Sequence, residues 1–116
     1  MSVRRVHYST FAYEDLASLL MWIANERGPE AAEKVDRTIE RAIASLEHMP
    51  DRGRAVPELR DRGYPNHREI IARPYRIIYE AVGRDVWLVA ILDGRRQVEM
   101  LLLERAGRAS PERGEP

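Results

Sequence analysis

The chain has 116 residues, no cysteine, and equal numbers of basic and acidic side chains, 19 of each. This length provides for one domain with a single core, and the lack of cysteine excludes disulfides and thiolate metal sites. A net charge of zero is unlike a dedicated nucleic-acid binder, and the lack of a long apolar run or a signal-peptide pattern predicts a cytoplasmic protein without a membrane span.

The first half of the sequence predicts a strand and two helices. Residues 3–9 have strand character, and Ser9 or Thr10 can cap the helix that follows. Apolar residues recur along this helix at helical spacing, at Leu16, Leu19, Leu20 and Ile23. Gly28 ends the first helix and Pro29 begins the second. The second helix has an apolar stripe of Val35, Ile39, Ala42, Ile43 and Leu46. The short turn between the helices predicts an antiparallel hairpin.

The second half predicts a loop, three strands and a short helix. Glycine and proline are frequent in residues 51–66, which indicates a loop with a short extended piece at residues 55–59. The predicted strands are residues 67–72, 75–82 and 86–92. Only short turns separate them, so we expect antiparallel neighbours. Residues 96–105 predict a short C-terminal helix, and residues 107–116 predict a disordered polar tail.

These elements predict an α+β fold in a single domain over residues 1–106. An N-terminal strand precedes a helical hairpin, which packs on a mainly antiparallel four-stranded sheet, and a short C-terminal helix follows. The strand at residues 86–92 is apolar on both faces. The sheet face away from the hairpin therefore needs a cover, for which the C-terminal segment, a second copy and a different partner are all candidates.

No conventional catalytic or metal-binding pattern is present in the sequence. His7, His48 and His67 have no ligand spacing, so we expect structural or surface roles for them. Glu14 and Asp15 are typical of charges at a helix start rather than of an acid–base pair. There is no glycine-rich phosphate loop and no Ser/His/Asp arrangement, and we expect neither a cofactor nor a metal.

Arginine is concentrated on the predicted sheet. Residues 1–51 have a net charge of −3 and residues 52–108 a net charge of +4, and 18 of the 19 basic side chains are arginine. Successive sheet elements carry Arg68, Arg76, Arg95 and Arg96. Neighbouring strands lie about 5 Å apart, so we expect these side chains to converge on one binding face. Their counter-charges are either Glu69, Glu80 and Asp93 or an acidic partner or phosphate.

The order and spacing of short motifs in this sequence resemble those of toxins of the RelE/ParE superfamily of bacterial type II toxin–antitoxin systems. The resemblance covers roughly residues 5–105 and is carried by YEDLASLLMWIANERGPEAAEKVDRTIERAIASLEHMPDRGRAVPEL and HREIIARPYRIIYEAVGRDVWLVAILDGRR. The matching positions are Asp15, Leu46, Pro50, Gly53-Arg54, Pro57-Glu58-Leu59, Arg68-Glu69, residues 75–79 and residues 94–96. The resemblance implies a curved antiparallel sheet backed by a helical hairpin, which agrees with the predicted elements.

The resemblance implies one of two activities. RelE-type relatives are ribosome-dependent mRNA endonucleases, which need cations on the phosphate and a group that moves the proton. Arg76 and Arg96 match the arginines of that family, and His67 is a possible substitute base. Glu69 and Leu102 stand where a cation and a tyrosine are expected, so the ribonuclease set is incomplete.

ParE-type relatives share the fold and poison DNA gyrase. The incomplete ribonuclease set favours this branch, in which the chain is a non-enzymatic toxin. The endonuclease activity is the alternative, and a third interpretation is a degenerate member that acts only as a complex partner or co-repressor.

The resemblance also implies an antitoxin partner in a hetero-oligomer. A flexible antitoxin segment is expected to cover the free sheet face and the hairpin, with acidic side chains on Arg68, Arg76 and Arg96. Arg95 belongs to the same predicted surface, although Asp93 can pair with it. Met21 and Trp22 lie beside the stripe of the first helix and are candidate contacts, with partial core burial expected for both.

Overall fold

The computed structural model describes residues 3–95 and 97–108, in which a helical hairpin packs on one face of a sheet. In chain order the elements are β1 (Arg5–Tyr8), α1 (Thr10–Arg27), α2 (Pro29–Ala44), β2 (Arg54–Ala55), α3 (Pro57–Arg60), β3 (His67–Ala72), β4 (Tyr75–Val82), β5 (Asp85–Asp93) and α4 (Glu99–Ala106). The predicted α+β class is confirmed. The tail predicted to be disordered lies outside the described residues from residue 109 onward.

The sheet has five strands in the order β1-β5-β4-β3-β2. The β3–β4 and β4–β5 pairs are antiparallel as predicted, whereas β1 pairs with β5 in parallel. The predicted count of four strands omitted β2, which pairs Arg54 with Glu69 and Ala55 with Arg68. A strand of two residues has no alternation of apolar and polar side chains, so its sequence has no periodic signal. The C-terminal helix begins at Glu99, three residues after the predicted start.

The predicted signals at the ends of the hairpin helices are confirmed. The Oγ of Ser9 accepts a hydrogen bond from the backbone N–H of Ala12 at 3.1 Å, which caps α1. Gly28 joins the helices with a φ of 95°, a conformation that glycine adopts without strain, and Pro29 follows at the first position of α2. No helix in residues 3–95 and 97–108 is long and apolar enough to cross a membrane.

Apolar clusters lie on both faces of the sheet. The first lies beneath the hairpin and includes Ile23, Ile39, Ile43, Leu46, Ile77, Tyr79 and Leu88. The second lies on the opposite face, beneath α3 and α4, and includes Val56, Leu59, Ile78, Val89, Leu92, Val98 and Leu102. Of the three candidate covers for this face, the C-terminal segment is the one that the structure shows. Within the described residues, the sheet face that was expected to be free for an antitoxin is therefore covered.

The carboxylate of Asp15 connects α1 with β5 and α4. Its Oδ2 accepts a hydrogen bond from the backbone N–H of Ile91 at 3.0 Å and one from Arg105 at 2.6 Å. The guanidinium of Arg105 also lies 5.0 Å from the centre of the Phe11 ring. The interpretation of Asp15 as a helix-start charge is wrong, because α1 begins at Thr10 and Asp15 lies beyond its first turn, where its carboxylate joins α1 to β5 and α4.

Candidate partner-binding site

Arg76 lies in a chain of alternating charges that begins on β2 and ends on α3. Its Nε donates to Glu69 at 2.7 Å, and its two Nη atoms donate to the two oxygens of Glu58, each at 2.7 Å. The other oxygen of Glu69 accepts from Arg54, also at 2.7 Å. We call Arg54, Glu69, Arg76 and Glu58 the ion-pair chain. Arg76 is only 8% exposed, and the side chain of Glu69 is fully buried.

The strand register explains why these charges meet. Glu69 pairs with Ile78 and Arg76 pairs with Ile71, so both charged side chains stand diagonally on the face of the second cluster. Hydrogen bonds from Arg76 hold the pKa of Glu58 below its ordinary value, and those to Glu58 and Glu69 raise the pKa of Arg76. Both shifts favour the charged forms of the pair.

The expected convergence of sheet arginines on one open face is wrong. Arg68 pairs with Tyr79, whose ring belongs to the first cluster, and its Nη1 donates to the carbonyl of Gly53 at 2.9 Å. Arg68 and Arg76 therefore stand on opposite faces of the sheet. Arg76 is enclosed by its own carboxylates, and its mid-strand position reflects ion pairing rather than an open surface. Arg96 lies outside the described residues.

Arg76 and Arg95 do meet at a pocket of about 430 Å³ beside the ion-pair chain. We call it the arginine pocket. Its charged lining consists of Arg54, Arg73, Arg76, Arg95 and Glu58, and its apolar lining includes Pro57, Ile71 and Pro74. Arg95 pairs with Asp93 at 2.6 Å, as anticipated for these neighbours. A Cβ on Gly94 would lie 2.9 Å from the carbonyl oxygen of Pro74, so the absence of a side chain permits this close turn.

A second pocket, of about 420 Å³, lies between α1 and the sheet ends next to the arginine pocket. We call it the helix-one pocket. Its apolar lining consists of Leu19, Trp22, Tyr75, Ile91 and Leu92, and its acidic lining of Glu14, Asp15 and Asp93. Met21 and Trp22 are 68% and 55% exposed and neither packs against the first cluster, so the expectation of partial core burial for both residues is wrong. Tyr13 is a third large and exposed side chain on α1, with an exposure of 66%.

Of the residues considered for ribonuclease chemistry, those in the described ranges lie inside the protein. His67 is fully buried, with Nε2 at 3.9 Å from an oxygen of Glu80 and the Tyr64 ring edge-on to its imidazole. Glu69 and Leu102 are buried as well. Within the described ranges, no group of three or more histidine or acidic side chains is arranged to hold a metal ion.

Two residues of the ion-pair chain and one of the pocket were not candidates from the sequence. Glu58 and Arg54 were recognised only as parts of family motifs, and Arg73 only as part of a turn. An arginine at a core position of a strand requires buried acids nearby, and this signal, which named Glu69 as a possible counter-charge, could have identified Glu58 as well. No comparable feature of the sequence identifies Arg73 as a residue of the pocket.

Comparisons with known proteins agree on the class of this chain. Residues 6–98 match the family model described as ParE toxin of type II toxin-antitoxin system, parDE. A relative named Toxin RelE1, from Caulobacter vibrioides, is 33% identical over 90 residues, which cover 77% of this chain and 91% of that protein. The fold is similar to a structure titled Chromosomal ParDE TA system from P. aeruginosa, with a TM-score of 0.63 and 20% identity over 77% of this chain and 94% of the other.

The structure and the family match together define a type II toxin of the RelE/ParE superfamily. Within it, the chain belongs to the ParE toxin family, and proteins of this class have an antitoxin as partner. The similarity in structure, at 20% identity, supports the fold alone.

Proposed function

We propose that this toxin arrests growth in the cytoplasm by acting on DNA gyrase, and that a cognate antitoxin neutralises it in a hetero-oligomeric complex. The choice of gyrase over the ribosome as the target rests on the ion pairs that Arg76 forms. A ribonuclease would need this guanidinium for an RNA phosphate, whereas here Glu58 and Glu69 occupy three of its N–H groups.

The surroundings of Arg76 also support a non-enzymatic toxin. A general base must come within hydrogen-bond reach of the proton that it removes, and His67 is fully buried. The leucine at position 102 cannot transfer a proton, and it is buried on the side of α4 that packs in the second cluster. A buried Glu69 next to Arg76 would repel a phosphate.

A ribosome-dependent mRNA endonuclease is the second candidate function. It is favoured by the 33% identity to the relative named Toxin RelE1 and by the arginines that line the arginine pocket. Under this alternative, Arg76 and Arg96 would hold the phosphate, and Glu58 would have to release Arg76 first.

Parallel assays on the purified full chain separate the two targets. We expect trapped gyrase–DNA breaks with supercoiled plasmid and no cleavage of mRNA on ribosomes. Codon-specific mRNA cuts without an effect on gyrase would instead establish the endonuclease. Growth arrest on expression, relieved by co-expression of the antitoxin, tests toxicity itself, and its absence would favour the degenerate member that acts only as a complex partner.

The exposed apolar side chains Met21 and Trp22 of α1 and the helix-one pocket are the proposed anchor for the antitoxin. Large exposed apolar side chains on one helix mark an interaction surface, and aromatic anchors beside a pocket contribute most to binding. We expect Trp22→Ala to weaken antitoxin binding by at least about 30-fold, the size of a hot-spot effect of about 2 kcal/mol. Isothermal titration of the full chain with the antitoxin measures this change.

A matched methionine pair controls for general loss of apolar surface. Met21 and Met100 are 68% and 79% exposed, but Met21 lies on α1 and Met100 on α4. We expect Met21→Ala to weaken binding and Met100→Ala to leave it unchanged. Equal losses for the two variants, or none for Trp22→Ala, would exclude α1 as the anchor.

A further inference from the structure

The arginine pocket contains more positive than negative charge. Four guanidinium groups and one carboxylate, that of Glu58, line it. Glu69, which does not line the pocket, is shared by Arg54 and Arg76, and Asp93 pairs with Arg95. Arg73 lies in the turn between β3 and β4, is exposed, and forms no ion pair with any residue in the described ranges. The pocket can therefore accept one more anion, for which Arg73 supplies the positive charge.

Glu58 is the more accessible of the two carboxylates that Arg76 binds. It lies on α3, a helix of only four residues, and its side chain is 22% exposed. Arg76 has a second and fully buried partner in Glu69. Departure of Glu58 would leave Glu69 as the one carboxylate shared by Arg76 and Arg54, so one positive charge at the two Nη atoms of Arg76 would need a new anion. Two parallel N–H groups match the two oxygens of a carboxylate.

The remainder of the lining favours an acidic peptide over a nucleic acid. Ile71 is 45% exposed, and Pro57 and Pro74 lie beside it, so an aliphatic side chain next to the acid can pack there. The described lining includes no aromatic ring on which a base would stack. The whole chain has no net charge, whereas proteins that track a phosphate backbone are strongly basic.

We propose that the arginine pocket binds a glutamate or aspartate side chain from the antitoxin, which displaces Glu58 from Arg76 and pairs with Arg73 as well. Glu58 is thus an internal substitute for the partner's carboxylate. This proposal rests on the antitoxin partner proposed above and adds a second, electrostatic contact to the apolar anchor on α1. The two pockets adjoin at Arg95, so one continuous segment can reach both.

A labelled peptide tests the exchange directly on the full chain. The probe is a short fluorescein-labelled peptide of glutamate and leucine, and fluorescence anisotropy measures its affinity. We expect Glu58→Gln to tighten binding by about tenfold, because the competing charge is removed. Arg73→Glu is expected to weaken binding by about tenfold, and this exposed position does not contribute to the core. Thermal unfolding of both variants checks that the fold is kept.

A charge-matched control and two further probes make the outcome decisive. Arg84→Glu changes the net charge equally, but Arg84 is exposed in the β4–β5 turn at the opposite end of the sheet. We expect it to alter affinity by less than about twofold. A peptide with glutamine in place of glutamate should bind much more weakly. Equal losses for Arg73→Glu and Arg84→Glu, unchanged binding in Glu58→Gln, or tighter binding of a labelled single-stranded oligonucleotide would overturn the proposal.

The result is independent of the proposed function. The peptide titration does not involve gyrase, ribosomes or Trp22. Failure of the carboxylate exchange would leave the gyrase assay and the α1 anchor untouched. Failure of the gyrase assay would leave the pocket's preference for a carboxylate as measured.

Discussion

Arg76→Ala is expected to lower the free energy of unfolding by about 3–5 kcal/mol, because removing one partner of a buried ion pair leaves the other charge uncompensated. Glu69, whose side chain is fully buried, would keep only Arg54, and Glu58 would lose both of its bonds. Urea unfolding of the full chain measures the change, and we expect a melting temperature lower by on the order of 15 °C.

Two further variants test whether the stability lost in Arg76→Ala comes from the buried ion-pair chain or from the loss of any charged pair. Arg95 also pairs with a neighbouring acid, but its side chain is 73% exposed. We expect Arg95→Ala to leave stability unchanged within error, since exposed pairs contribute little. Combining Arg76→Met with Glu69→Leu should recover much of the stability lost in Arg76→Ala, because apolar residues can replace a buried pair. A loss in Arg95→Ala as large as in Arg76→Ala would contradict the assignment of the buried network as the source.

The ion-pair chain also predicts a particular dependence on pH. Arg76 lowers the pKa of Glu58 in the folded state from its ordinary value of 4.5. The resulting stabilisation is present above that value and is lost as the pH falls through the lower pKa of the folded protein. In Arg76→Ala this contribution disappears, so its stability should fall less steeply below pH 4.5. The lowered pKa of Asp85, which is due first to His7, acts in both proteins and does not affect the difference.

Most of the fold could be predicted because local patterns determine it. The hairpin follows from apolar spacing and from the signals at Ser9, Gly28 and Pro29, all of which act within a few residues. The antiparallel pairs follow from short turns. The parallel pairing of β1 with β5 joins residues about eighty positions apart, and no local pattern encodes such a contact.

The candidate site was predicted less well because it depends on which residues of neighbouring strands pair with each other. The alternation of side chains shows which residues share a face with Arg68 within β3 and with Arg76 within β4. Only the pairing of Arg68 with Tyr79 shows that Arg68 and Arg76 lie on opposite faces of the sheet. The bond from Arg76 to Glu58 spans eighteen residues and a loop whose path the sequence does not specify. Trp22 on the outside of α1 was named as a candidate contact, but partial core burial was expected for it because composition alone does not separate a buried helix face from a binding surface.

Leu102→Ala tests whether α4 is an integral cover of the sheet. Two adjacent leucines on this helix differ in burial, since Leu102 is fully buried and Leu101 is 36% exposed. Removing the buried side chain should lower the free energy of unfolding by about 2–5 kcal/mol, because it opens a cavity against the second cluster. Leu101→Ala makes the same chemical change at the surface and should alter stability by no more than about 0.5 kcal/mol. Urea unfolding compares the two, and equal losses would mean that α4 does not seal this face.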